Sequence, residues 1–460
     1  MLDEELLEKV LKKALSRGGD YADVFVEWRR PTGIRLEDDR IEEIVSGQEQ
    51  GVGIRLIWGG RSAYAISNDL GPEALLEAAD SVSKAARGSD GEKSIDLRAV
   101  RPSLEFAIGE PPGEVSMERK VSLLKEANAA ARGKGGMIRQ VSLYYRDLTQ
   151  RVRMANSEGA FVDDERIQLV GVVNVIAEKD GVIQTGYEPI GGFAGFEFFE
   201  ENSLAEVALR AADRALMMLE ARRAPGGRMP VVISSEAGGT MIHEAIGHGL
   251  EADLAGQGLS RYSGMLGKEV ASPLVTVVDD ATLPGRRGSY RFDDEGTPSQ
   301  STVLVKDGVL TGFLYDRLNA MRDGARSTGN GRRESYLYRP IPRMSNTFIA
   351  PGASDPAEVL RSTPRGLLVV KMGGGQVNTV GGDFVFDVQE GYLIEDGRRG
   401  EPVRGATLTG SGPEVLKSID MVGSDLGFAI GTCGKDGQGA PVSDAMPTVR
   451  IPEMVVGGEV

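Results

Sequence analysis

Residues 241–253 read MIHEAIGHGLEAD, and they hold both histidines of a 460-residue chain, His243 and His248. Glu244 follows the first histidine directly, as in the metal-binding motif H-E-x-x-H, but the second histidine comes one residue late. On a regular helix, residues four apart project about 40° apart and residues five apart about 140°. The spacing therefore predicts a distorted helix end. Either a π-bulge widens the turn and brings the pair together, or the helix ends at Gly247 and His248 swings round. A chain of this length ordinarily scatters histidines over surface and core. Confining both to one run points to one task, although so short a pattern often matches by chance.

A catalytic zinc site takes three protein ligands and keeps a fourth position open, so two histidines leave the set one short. The single cysteine, Cys433, stands in the glycine-rich run GFAIGTCGKDGQGAP (427–441), where backbone can approach a ligand closely. A thiolate there would complete a His₂Cys set. Glu251 and Asp253, just beyond His248, compete for the same role. A lone cysteine is most often an inert core filler, and the turn setting argues against that use here.

Outward from this run the chain alternates between two textures. Before it, helical patterns lie at 2–17, 71–87, 116–132 and 203–223. Period-2 stretches fall at 21–28, 34–46, 51–67 and through 142–178, with glycine-bearing turns between them. The run APGGRMP (224–230) marks a boundary. After it come VVISS, the metal helix, and short strands such as VTVVDD, STVLVKDGVLTGFLYD, GLLVVKM and GGDFVFDVQEGYLIEDG. The class is α+β. A domain over 1–224 mixes antiparallel sheet with helices, and a mainly antiparallel, barrel-like β domain over 225–460 carries the metal helix. The glycine-rich 373–383 completes no phosphate-binding or dinucleotide fingerprint and reads as a tight hairpin.

Composition removes several classes. The net charge of −15 gives no cationic field for nucleic acid. No apolar run is long enough for a membrane helix, and the charged start MLDEELLEKVLKKALSRGG is not a signal peptide. One cysteine makes no internal disulfide, so the cytoplasm is the expected compartment.

The run HEAIGHGLEAD resembles the metal-binding segment of the TldD/PmbA family of metallopeptidases. RFDDEGTPSQ (291–300), RPIPRMSNTF (339–348) and GTCGKDGQGAPV (431–442) fit the same pattern in the same order, as does GVGIRLIWGGRSAYA (51–65). The resemblance implies zinc on His243, His248 and Cys433, and cleavage of unstructured peptides in the cytoplasm by a dimer. It further implies a homodimer or a heterodimer with a metal-free TldE/PmbA-like paralogue, with this ligand-bearing chain on the TldD-like branch.

Glu244 is then placed to act as general base and acid. The acidic turn of Asp293, Asp294 and Glu295 is a candidate to line the site, or else a hydrated turn. Arg339 and Arg343 are candidates to hold a peptide carboxylate or carbonyl, or else surface arginines. Two other readings remain: a non-catalytic peptide-binding subunit with a structural metal, and a peptidase using Cys433 as nucleophile, which leaves Glu244 idle.

Overall fold

In a computed structural model, which describes residues 2–86, 94–378 and 380–459, the period-2 stretches form one long antiparallel sheet. Its central strands are Tyr21–Glu37, Ile138–Asn156 and Ala160–Lys179. Arg40–Ser46, Glu49–Trp58 and Arg61–Ser67 extend it on one side, and Val182–Gly192 on the other. The expected helices are Glu4–Ala14, Pro72–Ser83, Met117–Arg132 and Leu204–Glu220; position 87 of the second lies outside the described residues. They pack as two pairs. The first pair covers Val24, Val26, Ile54 and Leu56, and the second covers Leu143, Tyr145, Val173 and Val175. Each fully buried Leu, Ile or Val contributes about 1.5–3 kcal/mol of transfer free energy.

APGGRMP is only partly a turn, because Gly227 already begins the strand Gly227–Ile233. That strand joins Val449–Gly457, Thr407–Ser411, Asp383–Glu395 and Arg365–Val377 in a closed ring of five. Only the pairing of Gly227–Ile233 with Arg365–Val377 is parallel. The ring is the expected barrel. Val231, Ile233, Leu367, Val369, Phe384, Phe386, Leu408 and Ile451 belong to one core with Met241, Ile242, Ala245, Ile246 and Leu250 of the histidine segment. At 373–383 the chain turns back as a hairpin, with Gln376 opposite Val385, though Thr379 is outside the described residues. A further six-stranded sheet ends on Gln438–Met446 and, at its edge, Gly427–Lys435. Among the described residues, no helix is long and apolar enough to cross a membrane.

The acidic turn joins the two regions. Arg55 of the first sheet is 1% exposed; its Nε donates to Asp23 (2.8 Å), and its guanidinium lies 2.7 Å from Glu295 Oε1. Arg166 pairs with Asp294 (2.5 Å) and Asp164 (3.0 Å) and donates to the Phe292 carbonyl. Arg333 donates its own N–H to Asp294 Oδ2 (2.7 Å) and a side-chain N–H to the Tyr64 hydroxyl (3.0 Å). Glycine matters at position 51, where a Cβ would fall 2.2 Å from the Tyr336 ring.

Buried charges are tolerated because each has a partner, and removing one partner strands the rest. Arg55→Met is expected to lower the unfolding free energy by about 3–5 kcal/mol, read from denaturant midpoints. Asp316, which caps the helix Arg317–Asp323, is pushed up from 3.8 to about 7 by burial and the charge of Glu295. A carboxyl with a raised folded pKa contributes stability while protonated, and loses it as pH rises from 3.8 to about 7. Asp316→Asn keeps the acceptor for the Asn319 N–H. Its unfolding midpoint should match wild type near about pH 4 and exceed it at about pH 8.

Candidate metal centre

The strand Gly227–Ile233 leads through residues 234–239 into a short helix, Thr240–Ile242. The helix then widens into a π turn over His243–Gly247, where the His248 N–H reaches back to the His243 carbonyl, and closes in a 3₁₀ turn, His248–Leu250. Of the two distortions the spacing allows, the π turn is the one formed. Gly247 is not a terminator, since its φ of −53° and ψ of −56° are helical. It is glycine for space: a Cβ there would sit 2.2 Å from Met344 Sδ. The Ala245 carbonyl accepts from the Tyr262 hydroxyl at 2.9 Å.

The turn brings the two imidazoles to a ring separation of 5.0 Å, at 88° to one another. Cys433 comes from the hairpin of Gly427–Lys435 and Gln438–Met446, which turns at Asp436 (φ 50°) and Gly437 (φ 72°). Arg343, fully buried, donates to the carbonyls of Cys433 and, at 3.1 Å, Gln438, and so grips the end of this hairpin. Donor atoms of His243, His248 and Cys433 all lie within 4.8 Å of one another. His248 Nε2 is 3.4 Å from the sulfur. Tetrahedral zinc with ordinary Zn–N and Zn–S bonds needs roughly 3.6 Å there. Two imidazoles and a thiolate suit a borderline-soft divalent ion, so the residues present fit a metal.

The electrostatics favour the thiolate of Cys433. Against the opposing effect of burial, that sulfur in turn raises His243 and His248 above the ordinary imidazole value. Burial pushes the Cys433 thiol up, but hydrogen bonds from His243 and His248 outweigh it and bring the group down to about 5. Glu251, weighed above as a ligand, instead lies behind His248: its Oε2 is 3.0 Å from Nδ1 and 3.1 Å from Lys435 Nζ. Burial raises the Glu251 carboxyl, yet Lys435 and His248 hold it at about 2. Asp253 also pairs with Lys435, at 2.7 Å. Asp444 is pushed up to about 6 by burial, against the pull of the nearby His243.

A cleft of about 630 Å³ opens on the three donors. Glu244, half-buried, lines it with Thr240, Asp444, the segment 375–377 and the segment 430–436. The structure thus brings His243, His248, Cys433 and Glu244 together. Asp294, Glu295, Arg339 and Arg343 are not among the residues lining the cleft. The first two sit between the sheets as described, Arg343 holds the Cys433 hairpin from behind, and Arg339 is exposed. Sequence reasoning missed Lys435 and Asp444. The available signal was a charge in each arm of an otherwise apolar or glycine-rich hairpin, a pattern that demands a buried partner.

Domain profiles described as PmbA/TldA metallopeptidase domain 1, central domain and C-terminal domain match residues 22–86, 110–219 and 226–458. The chain belongs to the PmbA/TldA metallopeptidase family. The resemblance read from the motifs is borne out. It is 37% identical to the metalloprotease TldD homolog of Haemophilus influenzae, over 96% of this chain and 94% of that one. It is also 37% identical to a metalloprotease of Methanocaldococcus jannaschii, over 98% and 99%. The fold matches the crystal structure of TldE from Thermococcus kodakarensis with a TM-score of 0.74 at 20% identity, covering 98% of this chain and all of that one (100%). Metalloprotease relatives and the His–His–Cys group together imply a metal cofactor.

Partners behind metal-binding histidines commonly set affinity by 10–100-fold. Glu251→Gln removes the charge that orients His248 and should weaken metal binding by that factor. Competition against a calibrated chelator reads it.

Proposed function

We propose that this chain is a zinc peptidase that hydrolyses peptide bonds in unfolded or short peptides in the cytoplasm, with Glu244 as the general base. The observation that carries the proposal is a set of three donors, open on one side to a cleft that Glu244 also lines. A structural metal would call for four protein donors, whereas three plus an open position is the catalytic pattern.

Zinc held by His243, His248 and Cys433 would supply Lewis acidity to the scissile carbonyl and the attacking water. The chain's own groups do the rest. Glu244 lines the same cleft; it takes the water's proton and returns it to the leaving amine. Glu251 fixes the His248 ring, and Arg343 fixes the loop that presents Cys433.

Peptide recognition falls to the edge strand Gly427–Lys435, whose one partner among the described strands is Gln438–Met446. Its two-residue turn makes Lys435 and Gln438 a hydrogen-bonded pair. By alternation the backbone groups of Phe428, Ile430, Thr432 and Gly434 point to the open edge. An extended peptide pairing there by main-chain bonds runs past the metal with little demand on its sequence. A homodimer, or a heterodimer with a metal-free TldE/PmbA-like paralogue, is the working assembly on this reading.

Elemental analysis and casein-type cleavage assays test the reading together. One zinc per chain is expected, with loss in His243→Ala and Cys433→Ser. Glu244→Ala should keep the metal while cleavage drops by at least about 10²–10⁴-fold, the usual contribution of a general base. Cleavage that survives metal removal but not thiol alkylation would replace this mechanism with a cysteine nucleophile. Equal cleavage of folded and unfolded forms of one substrate would refute the preference for unfolded chains.

A further inference from the structure

The two histidines are held differently from behind. Glu251 lies at hydrogen-bond distance from His248 Nδ1, 3.0 Å, and is itself braced by Lys435. His243 Nδ1 is buried and has no hydrogen-bond partner among the described residues. Asp444 Oδ2 lies 3.8 Å from it, beyond the 2.7–3.2 Å of a hydrogen bond. The other carboxylate oxygen, Oδ1, accepts the Gly239 N–H at 3.1 Å. Asp444 is thus anchored by one oxygen, with the other aimed at an orphaned donor.

The local sequence is built for this approach. Asp444 stands opposite Ala429 in the hairpin that also carries Cys433. Gly238, at φ 70°, and Gly239 let the start of the histidine helix abut that hairpin. A Cβ on Gly239 would meet the Ala445 nitrogen at 2.2 Å, and one on Gly238 would meet the Ala429 Cβ at 2.4 Å. Either would push the helix away from Asp444. Burying a carboxylate beside an unpaired imidazole is costly unless the two are meant to pair.

We propose that Asp444 is a positioning residue for His243: in the metal-loaded protein its Oδ2 accepts the Nδ1–H, which fixes the ring with Nε2 toward the metal. This rests on the metal site proposed above. The gap to close is roughly 0.8 Å for an ordinary hydrogen bond, and a carboxylate hinged on the Gly239 N–H closes it by rotating about its own side chain. The hairpin Gly427–Met446 then supplies one ligand through Cys433 and the brace for a second through Asp444.

The test uses the full chain stripped of metal and titrated with Zn²⁺ and Co²⁺ against a chelator, with the unfolding midpoint of the metal-free protein measured alongside. Asp444→Asn is nearly isosteric. The Gly239 N–H keeps the amide oxygen, so the amide NH₂ faces His243 and favours the tautomer protonated on Nε2, the wrong one for metal. Asp444→Asn should bind Zn²⁺ 10–100-fold more weakly, with the metal-free midpoint unchanged and the visible Co²⁺ bands shifted. Asp444→Ala, which removes the brace without opposing it, should lose less affinity than Asp444→Asn. Wild-type affinity in Asp444→Asn would overturn the proposal. So would an affinity loss matched by an equal fall in the metal-free midpoint, which marks a merely structural role. If the wild-type chain takes up neither ion, the metal site itself fails, and this inference with it.

Discussion

His243 and His248 stand five positions apart, and the turn that closes this gap governs the packing around it. In an α-helical register the two rings would diverge by about 140°, and one of them would face the apolar interior of the barrel. The π turn lets Met241, Ile242, Ala245, Ile246 and Leu250 stay in the core while both imidazoles turn to the cleft. Neighbouring residues are shaped to this wider turn. Met344 occupies the space a side chain at 247 would need, and Gly412 leaves room beside the Ala245 carbonyl, where a Cβ would come within 2.4 Å. Widened turns are uncommon because they sacrifice regular hydrogen bonding. This one persists because its surroundings leave the segment no comparable alternative.

A second constraint is charge. A thiolate and several carboxylates lie within a few side chains of one another, in a place where unpaired charge is costly. The compensation runs between the two elements that carry His248 and Cys433. Lys435, two residues from Cys433, pairs with Glu251, three residues from His248, and with Asp253 beside it. The helix and the hairpin are therefore held together by ion pairs that do not require the metal. Arg343 adds a cation behind the hairpin and ties its turn to the interior. A site held this way has little left to organise when the ion arrives.

Much of this could be read from the sequence, for specific reasons. The histidine spacing called for a distorted helix because 3.6-residue periodicity leaves no other way to unite the pair. The long period-2 stretches gave the first sheet, since alternation survives wherever one face is buried. The barrel was visible only as short strands: its closure depends on Arg365–Val377 pairing with both Gly227–Ile233 and Asp383–Glu395, and no local pattern encodes a pairing across more than 130 positions. Glu251 was legible only as a competitor of Cys433 for the third ligand's place, because spacing shows proximity and not which side of an imidazole is approached. Asp294 and Glu295 drew attention as an acidic turn, but their partners Arg55, Arg166 and Arg333 lie far off in the chain. A local reading cannot tell a buried clamp from a substrate contact.

That clamp bears on the site through continuous packing. Arg333, which binds Asp294, follows Arg332, whose guanidinium donates to the carbonyls of Met344 (2.5 Å) and Pro441 (2.7 Å). Met344 fills the space beside Gly247, and its neighbour Arg343 holds Cys433. Only a few side chains thus separate the first sheet from the elements that carry His243, His248 and Cys433. Contiguity of this kind does not make a switch, which would need an element with two stable arrangements. What it supplies is stiffness, because close-packed interiors transmit displacement instead of absorbing it. Three donors drawn from two elements must keep their geometry to within about 0.5 Å to hold a metal in one defined site. The first sheet, remote from the chemistry, serves that geometry by fixing the frame on which the helix and the hairpin meet.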